Sequence, residues 1–309
     1  MAPGVNGSMS VQFAVLASGS RGNATLVRAG GSGLLIDLGI GARSLEARLA
    51  SVDAGWEHVA GALLTHTHGD HVDNGTLNGL ARRNLPLYCH EGHRSDLARH
   101  PGFAALDAAG LVRHYDERPF LTPNGMSIEP LELSHDGPTF GFRVEAKASR
   151  RARSVAIGYM ADTGCWTPGM ADLLADVDLL GVEFNHDVEM QRRSGRSWAL
   201  IARNLGDRGH LSNRQGAEFV SAVLERSGRG AVRHLVLLHL SQQCNLPGLA
   251  LSEARGAVRG TGRRVTIHAA QQSPAHPNVW VESGRRRSLA PSRSVADPAA
   301  ESESEPPPF

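Results

Sequence analysis

Three cysteines in 309 residues leave no basis for a disulfide scaffold. Cys89, Cys165 and Cys244 are odd in number and form no CxxC pair. Their scarcity fits a reducing compartment, so a cytoplasmic location is expected. No apolar run approaches the ~18 residues of a membrane-spanning helix, and no membrane partner is expected. The opening MAPGVNGSMS lacks a basic stretch followed by a long apolar one, so it does not read as a secretory signal. Aromatic residues make up only 5%, which argues against broad base-stacking surfaces. Lysine is nearly missing: Lys147 is the only one among 32 basic residues. Arginine, a planar and bidentate phosphate donor, supplies the rest. Excess charge of either sign is also lacking, since 32 Lys+Arg against 31 Asp+Glu leave a net +1. Any nucleic-acid binding must then come from a local patch.

What is present is a folding composition. Hydrophobic residues reach 41%, enough for a substantial core, and a wholly disordered chain is excluded. From residue 11 onward short β-like runs alternate with amphipathic stretches. Strands are expected at 13–16, 24–28, 33–37, 61–65, 86–89, 126–133, 179–184, 235–238 and 265–268. A hairpin is expected from 140–145 and 154–159 around the basic loop 146–153. Helices are expected at 44–50, 74–83, 92–99, 170–175, 198–205, 213–225 and 247–258. Helices interleaved with strands make the class α/β, with two sheets. After about residue 283 the chain turns poor in apolar residues and rich in Pro, Ser, Ala and Glu. One folded body over 11–283 is therefore expected, with a loose start at 1–10 and a disordered tail at 284–309.

Histidine is the compositional oddity, at 15 residues. The sharpest pattern is THTHGDH, which supplies His66, His68, Asp70 and His71 on the loop leaving a buried strand. Chance gives such an HxHxDH arrangement about 0.002 times in a chain of this composition. Imidazoles suit zinc and similar divalent ions, and a carboxylate adds harder character. The bland alternative is a polar loop with surface histidines. His90 and His93 also have ligand-like spacing but sit at an expected helix start.

THTHGDH resembles the signature of the metallo-β-lactamase-fold hydrolases, and later segments match in the order that family shows them. His135 in LELSHDGP, Asp162 in GYMADTG and His239 in VLLHLSQ each follow an expected strand. A narrower resemblance is to the YycJ/WalJ-like branch of DNA exonucleases. It is carried by AVLASGSRGNATLV, GVEFNHDVEM, DRGHLSN and HLSQQCNLP, and covers about residues 11–270. The resemblance implies an αβ/βα four-layer sandwich: two facing mixed β-sheets, helices outside, metals at one edge. It also implies that His66, His68 and His135 hold one cation, that Asp70, His71 and His239 hold a second, and that Asp162 bridges them. Two cations about 3.5–4 Å apart can generate a hydroxide that attacks phosphorus or a carbonyl carbon. Five histidines favour Zn²⁺, and two carboxylates leave Mn²⁺ as the alternative. Only 76 residues separate Asp162 from His239, too few for the extra domain of the β-CASP type.

Related nucleases of the tRNase Z kind use a Glu–His pair to protonate the leaving oxygen. Glu183 and His210 resemble that pair, and with Asp70 they form the expected catalytic set. The plainer reading makes His210 a helix cap and Glu183 a satisfied strand-end residue. His186 reads equally as a partner of the ligands or as part of a tight turn. Ser20 and Asn23 in the turn SGSRGN are candidate phosphate contacts. So are Arg203 and Arg208, within a run that also holds Arg192, Arg193 and Arg196, and Ser212, Ser241 and Asn245. A solvated loop and helix face is the alternative for the arginines, and a solvated hairpin tip for residues 147–153. The leading expectation is a metal-dependent phosphodiesterase on nucleic acid, a 5′→3′ exonuclease with DNA favoured over RNA. A small-molecule metallohydrolase of the same fold (thioesterase, lactonase or β-lactamase-like) is the main alternative. A non-catalytic metal-stabilised binding protein is the weakest, because structural zinc sites are usually closed four-ligand cages. The oligomeric state is left open, a homodimer included.

Overall fold

The computed structural model describes residues 10–147, 149 and 153–283. The expected loose start and tail lie outside these residues, apart from Ser10, which opens the first strand. Residues 148 and 150–152 of the basic loop 146–153 lie outside them too.

The first half runs β1 (Ser10–Ala17), β2 (Ala24–Ala29), β3 (Ser32–Ile36), α1 (Ala42–Ala50), β4 (Val59–Leu63), α2 (Asn74–Arg82), β5 (Leu87–His90), α3 (Arg94–Leu97), α4 (Pro101–Ala108) and β6 (Val112–Tyr115). The second half runs β7 (Phe120–Leu121), β8 (Ser127–Glu132), β9 (Phe140–Ala146), β10 (Val155–Met160), α5 (Pro168–Leu173), β11 (Leu179–Glu183), α6 (Val188–Arg192), α7 (Trp198–Leu205), α8 (Asn213–Arg226), β12 (His234–Leu238), α9 (Pro247–Gly260), β13 (Thr266–Ala269) and β14 (Asn278–Glu282). One sheet has the order β14-β1-β2-β3-β4-β5-β6 and the other β13-β12-β11-β10-β9-β8-β7. Each is mixed: antiparallel hairpins occupy one part, and parallel strands joined by helical crossovers the other.

Strands β1, β2, β3, β10, β11 and β12 are buried on both faces along nearly their whole length, which explains their continuous apolar runs. Alternate side chains divide between two environments. Phe13 and Val15 of β1, Phe142 and Val144 of β9, and Val236 and Leu238 of β12 meet in the core between the sheets. Ala14 and Leu16 face outward with Leu45, Leu77 and Leu80 of the helices over the first sheet. Leu235 and Leu237 pack outward with Phe219, Val223 and Ala254 over the second. The result is the expected αβ/βα sandwich. Among the described residues no helix is long and apolar enough to cross a membrane.

The differences are local or late in the chain. The helix expected at 92–99 is divided between a 3₁₀ turn at Glu91–His93 and the four-residue α3, and Pro101 then opens a separate helix. Helices α4 and α6 and strands β6, β7 and β14 were not anticipated. Strand β14 completes the first sheet by pairing antiparallel with β1, Val279 opposite Phe13 and Val281 opposite Val11. Its partner lies more than half the chain away, so local patterning cannot assign it.

Candidate metal centre

The parallel strands all end at one rim, and the chemistry gathers there. Loop 64–73 leaves β4 and is held down by backbone bonds from Asn23 N to Asp70 O (2.7 Å) and from Leu38 N to His71 O (2.9 Å). A Cβ on Gly39 would fall 1.7 Å from the Asp70 carbonyl oxygen, so only glycine lets the loop seat there. His135 follows β8, Asp162 follows β10, Glu183 ends β11 and His239 follows β12. Asp37, Asp162 and His239 adopt left-handed backbone, with φ of 64°, 59° and 54°. Non-glycine residues tolerate this only where surrounding contacts enforce it, and such strain collects at functional sites.

The structure brings the seven residues expected as ligands together. His66, His68 and His135 form one group whose donor atoms lie within 4.8 Å of one another. Asp70, His71 and His239 form a second, and His66, His71 and Asp162 a third that links them. The histidine tautomers can be read from their outer partners. His71 Nδ1 donates to Asp37 Oδ2 at 2.8 Å, and His135 Nδ1 to the Gly209 carbonyl at 2.9 Å. His66 Nδ1 meets Thr65 Oγ1 at 3.0 Å, while that hydroxyl donates to Asp37. All three rings turn Nε2 inward, and His71 Nε2 meets the Asn23 amide nitrogen at 2.9 Å. His66 Nε2 and His135 Nε2 are buried with no hydrogen-bond partner. Asp162 Oδ2 faces His71 Nε2 at 3.0 Å without hydrogen-bond geometry. Buried lone pairs converging without protons between them are costly unless a cation sits among them, so the donor set fits divalent metal ions.

The electrostatics agree with that fit. Burial first, and the neighbouring imidazole His71, hold His66 well below the ordinary histidine range. Burial likewise lowers His68 and His135, so all three present neutral ligand nitrogens. Burial would lower His71 as well, but Asp37 and then Asp162 outweigh it and push it up to about 10. Burial would raise the Asp162 carboxyl, yet His239 and His71 hold it well below the usual carboxylate range. Four buried or mostly buried carboxylates, Asp37, Asp70, Asp162 and Glu183, thus create a field that favours positive charge at this rim.

Glu183 contributes to this field and also holds His210 at its edge. Glu183 is fully buried, and its Oε1 accepts from His210 Nδ1 at 2.8 Å. Its Oε2 accepts from the Thr163 and Leu211 backbone N–H groups at 3.0 and 3.2 Å. Both oxygens are engaged, which sets Glu183 apart from the unpartnered donors although it lies within donor spacing of Asp162, His210 and His239. His210 does not cap α8; Ser212 does. Asp162 Oδ1 is 3.3 Å from the same His210 Nδ1, so Nε2 is the nitrogen left to face a substrate. Burial pulls His210 down, but Glu183 and then Asp162 raise it to about 9.

The residues expected to bind phosphate divide sharply. Ser20 is exposed at its turn. Asn23 is buried, and its amide nitrogen lies 3.2 Å from Asp70 Oδ2 and 2.9 Å from His71 Nε2. Its donors are spent inside the site. Asn245 gives its amide to the Phe184 and Asn185 carbonyls and to Asn213 Oδ1, and is equally committed. Ser212 Oγ is tied into a capping box with Gln215, and Ser241 Oγ accepts from Cys244 N. Arg203 pairs with Asp136, and Arg208 donates Nε to the His135 carbonyl at 3.0 Å. Arg192 and Arg193 pair with Glu189. His93 is buried and satisfied, while His186 is buried with neither ring nitrogen partnered. Sequence reasoning missed Asp37 and Thr65, which orient His71 and His66, and Asn185, whose amide reaches the His239 carbonyl at 2.9 Å. The one available signal was an acid closing the apolar run LLID.

Comparison with known proteins places these features in a lineage. The model of the beta-lactamase superfamily domain matches residues 33–240. Exodeoxyribonuclease YycJ of Bacillus anthracis is 29% identical over 265 residues, covering 84% of this chain and 95% of that protein. Exodeoxyribonuclease WalJ of Streptococcus pneumoniae is 30% identical over 241 residues, covering 77% of this chain and 85% of that one. Among solved structures, the metallo-beta-lactamase fold protein YhfI from Bacillus subtilis aligns with a TM-score of 0.60 at 16% identity, covering 88% of this chain and 100% of that chain.

Proposed function

The chain belongs to the metallo-β-lactamase superfamily, in the branch that includes YycJ and WalJ, and on that premise we propose that it is a metal-dependent phosphodiesterase that cuts nucleic acid, with 5′→3′ exonucleolytic cleavage of DNA as its reaction. The observation that carries this reading is the Glu183–His210 pair, 2.8 Å apart and set against Asp162. Phosphodiester cleavage expels an alkoxide that needs a proton, and a protonated imidazole held by a buried carboxylate supplies one. A thioester hydrolase, whose leaving thiolate is stable without a proton, has no comparable need. The names of the two relatives support DNA over RNA.

His66, His68 and His135 would hold one divalent ion, Asp70, His71 and His239 the other, and Asp162 both. Bound there, the two ions would polarise the phosphoryl oxygens and acidify the attacking water. Five imidazoles favour zinc, and the two carboxylates admit manganese. Glu183 fixes the His210 ring through Nδ1 and keeps it protonated near neutral pH, so Nε2 can donate to the leaving oxygen. Asp70 lies between Asn23 and His239, and its partial exposure lets it take a proton from the water side. Arg208 and Arg203 flank His135 and steer the phosphate backbone, with Ser20 and Ser241 as further polar contacts. Free Cys89, Cys165 and Cys244 accord with work in a reducing cytoplasm.

One assay tests the proposal. The purified chain with zinc or manganese is offered 5′- and 3′-labelled single- and double-stranded DNA and RNA, beside a thioester. Stepwise release of nucleotides from the 5′ end of DNA is expected. Thioester turnover with every polynucleotide left intact would sink the reading.

A further inference from the structure

Helix α7 is anchored by little of itself. Only Ile201 and Asn204 are buried, while Trp198, Ala199, Leu200 and Ala202 face outward. Trp198 is 77% exposed, the most exposed large hydrophobic side chain among the described residues, and Leu200 is 42% exposed. An apolar outward stripe on a short helix is costly unless something covers it in use.

The helix also spans the rim of the site. At its C-terminal end the Asn204 carbonyl accepts from His210 N at 3.1 Å. At its N-terminal end Arg196 Nη2 donates to Gln243 Oε1 at 2.6 Å, on the loop that follows His239. Trp198 therefore lies ~9 Å along the helix axis from the residue that touches His210, at 1.5 Å per residue. The surrounding charge is positive. Arg192, Arg193 and Arg196 precede Trp198, and Arg203 and Arg208 follow it. Glu189 and Asp136 answer three of them, and among the described residues no carboxylate pairs with Arg196 or Arg208.

We propose that the outward face of α7 is a strand-guiding surface on which Trp198 stacks a nucleobase of single-stranded nucleic acid next to the phosphate being cut. The inference rests on the nucleic-acid reading above and adds the element that grips the strand. Charge selects this occupant. A second copy docking by two-fold symmetry would bring the same arginines face to face, whereas a polyanion is complementary to them. A single indole suits a substrate that is held but not read, because stacking tolerates every base.

The test measures binding of a short single-stranded phosphorothioate DNA to the zinc-loaded chain by fluorescence anisotropy, with Trp198→Ala and Trp198→Phe beside wild type. Loss of one stacked base weakens binding by about 5- to 150-fold, the equivalent of 1–3 kcal/mol. Trp198→Phe should recover much of the loss. The slope of log Kd against log salt should stay unchanged, because no charge has been removed. The melting temperature of Trp198→Ala should also match wild type. Wild-type affinity in Trp198→Ala overturns the stacking role while leaving the nuclease reading intact. A reduced salt slope assigns the loss to displaced arginines and overturns it as well. A wild-type dimer that Trp198→Ala converts to monomer makes α7 a subunit contact instead. Absence of any DNA binding by wild type removes both this inference and the reading beneath it.

Discussion

Asp37→Asn isolates the orientation of one ligand. Asp37 is fully buried and accepts three bonds: from Thr65 N at 2.9 Å, from Thr65 Oγ1 at 2.9 Å and from His71 Nδ1 at 2.8 Å. An asparagine can keep its oxygen toward Thr65. Its NH₂ must then face His71, which forces Nδ1 to become the acceptor. The ring proton moves to Nε2, the atom that points at Asp162 Oδ2 from 3.0 Å. That nitrogen can no longer coordinate. Outer partners of this kind are worth about 10- to 100-fold in metal affinity, or ~1.4–2.7 kcal/mol. The lost charged hydrogen bond costs roughly 1.5–3 kcal/mol of stability in addition. Competition with a chromophoric chelator reads the first quantity, and urea denaturation of the chelated chain reads the second. Weaker zinc binding with cleavage rescued at high zinc is expected. Unchanged affinity in a folded Asp37→Asn chain would refute the tautomer argument.

Other perturbations probe separate links. His210→Ala should slow cleavage by about 10²- to 10⁴-fold while bound metal, measured by mass spectrometry, stays at the wild-type level; parallel loss of metal would make His210 a ligand instead. Gly39→Ala should lower the melting temperature and metal content together, because its new methyl overlaps the Asp70 carbonyl. His93 is neutral and doubly bonded, donating Nε2–H to the Pro138 carbonyl and accepting at Nδ1 from His90 N. Burial first lowers it from 6.5 to about 4. Its contribution is therefore complete above pH 6.5 and is lost as pH falls toward 4, where the native imidazole must take a proton. The full loss is roughly 3 kcal/mol. His93→Gln should flatten the fall in urea midpoint between pH 7 and 4.5 relative to wild type; parallel curves would show that His93 does not titrate there.

How much could be read before the fold was known depends on the distance over which each feature is encoded. The buried strand at 59–63 and the helix at 74–82 declare themselves within a few residues, through an apolar run and an Asp73 cap whose side chain accepts from Thr76 N. The motif THTHGDH is likewise self-contained. His135, Asp162 and His239 carry no local signature beyond following a strand; resemblance supplied them, and convergence of strand ends explains why they meet. Asp37 escaped because its meaning depends on His71, a residue on another strand-end loop. Asn23 and Asn245 look like phosphate contacts in a one-dimensional view, since exposed amides bind anions. Only the fold shows their donors spent on Asp70, on backbone carbonyls and on Asn213. Strand β14 was hidden for the same reason, its hydrogen bonds being answered by the start of the chain.

The most direct measurement is metal stoichiometry. The chain is loaded with zinc or manganese, freed of excess ion and analysed by mass spectrometry beside Asp162→Ala. About two divalent ions per wild-type chain are expected, with one or fewer after loss of the bridging carboxylate. A folded wild-type chain that retains no ion, or an Asp162→Ala chain that keeps both, would contradict a two-cation centre at this rim.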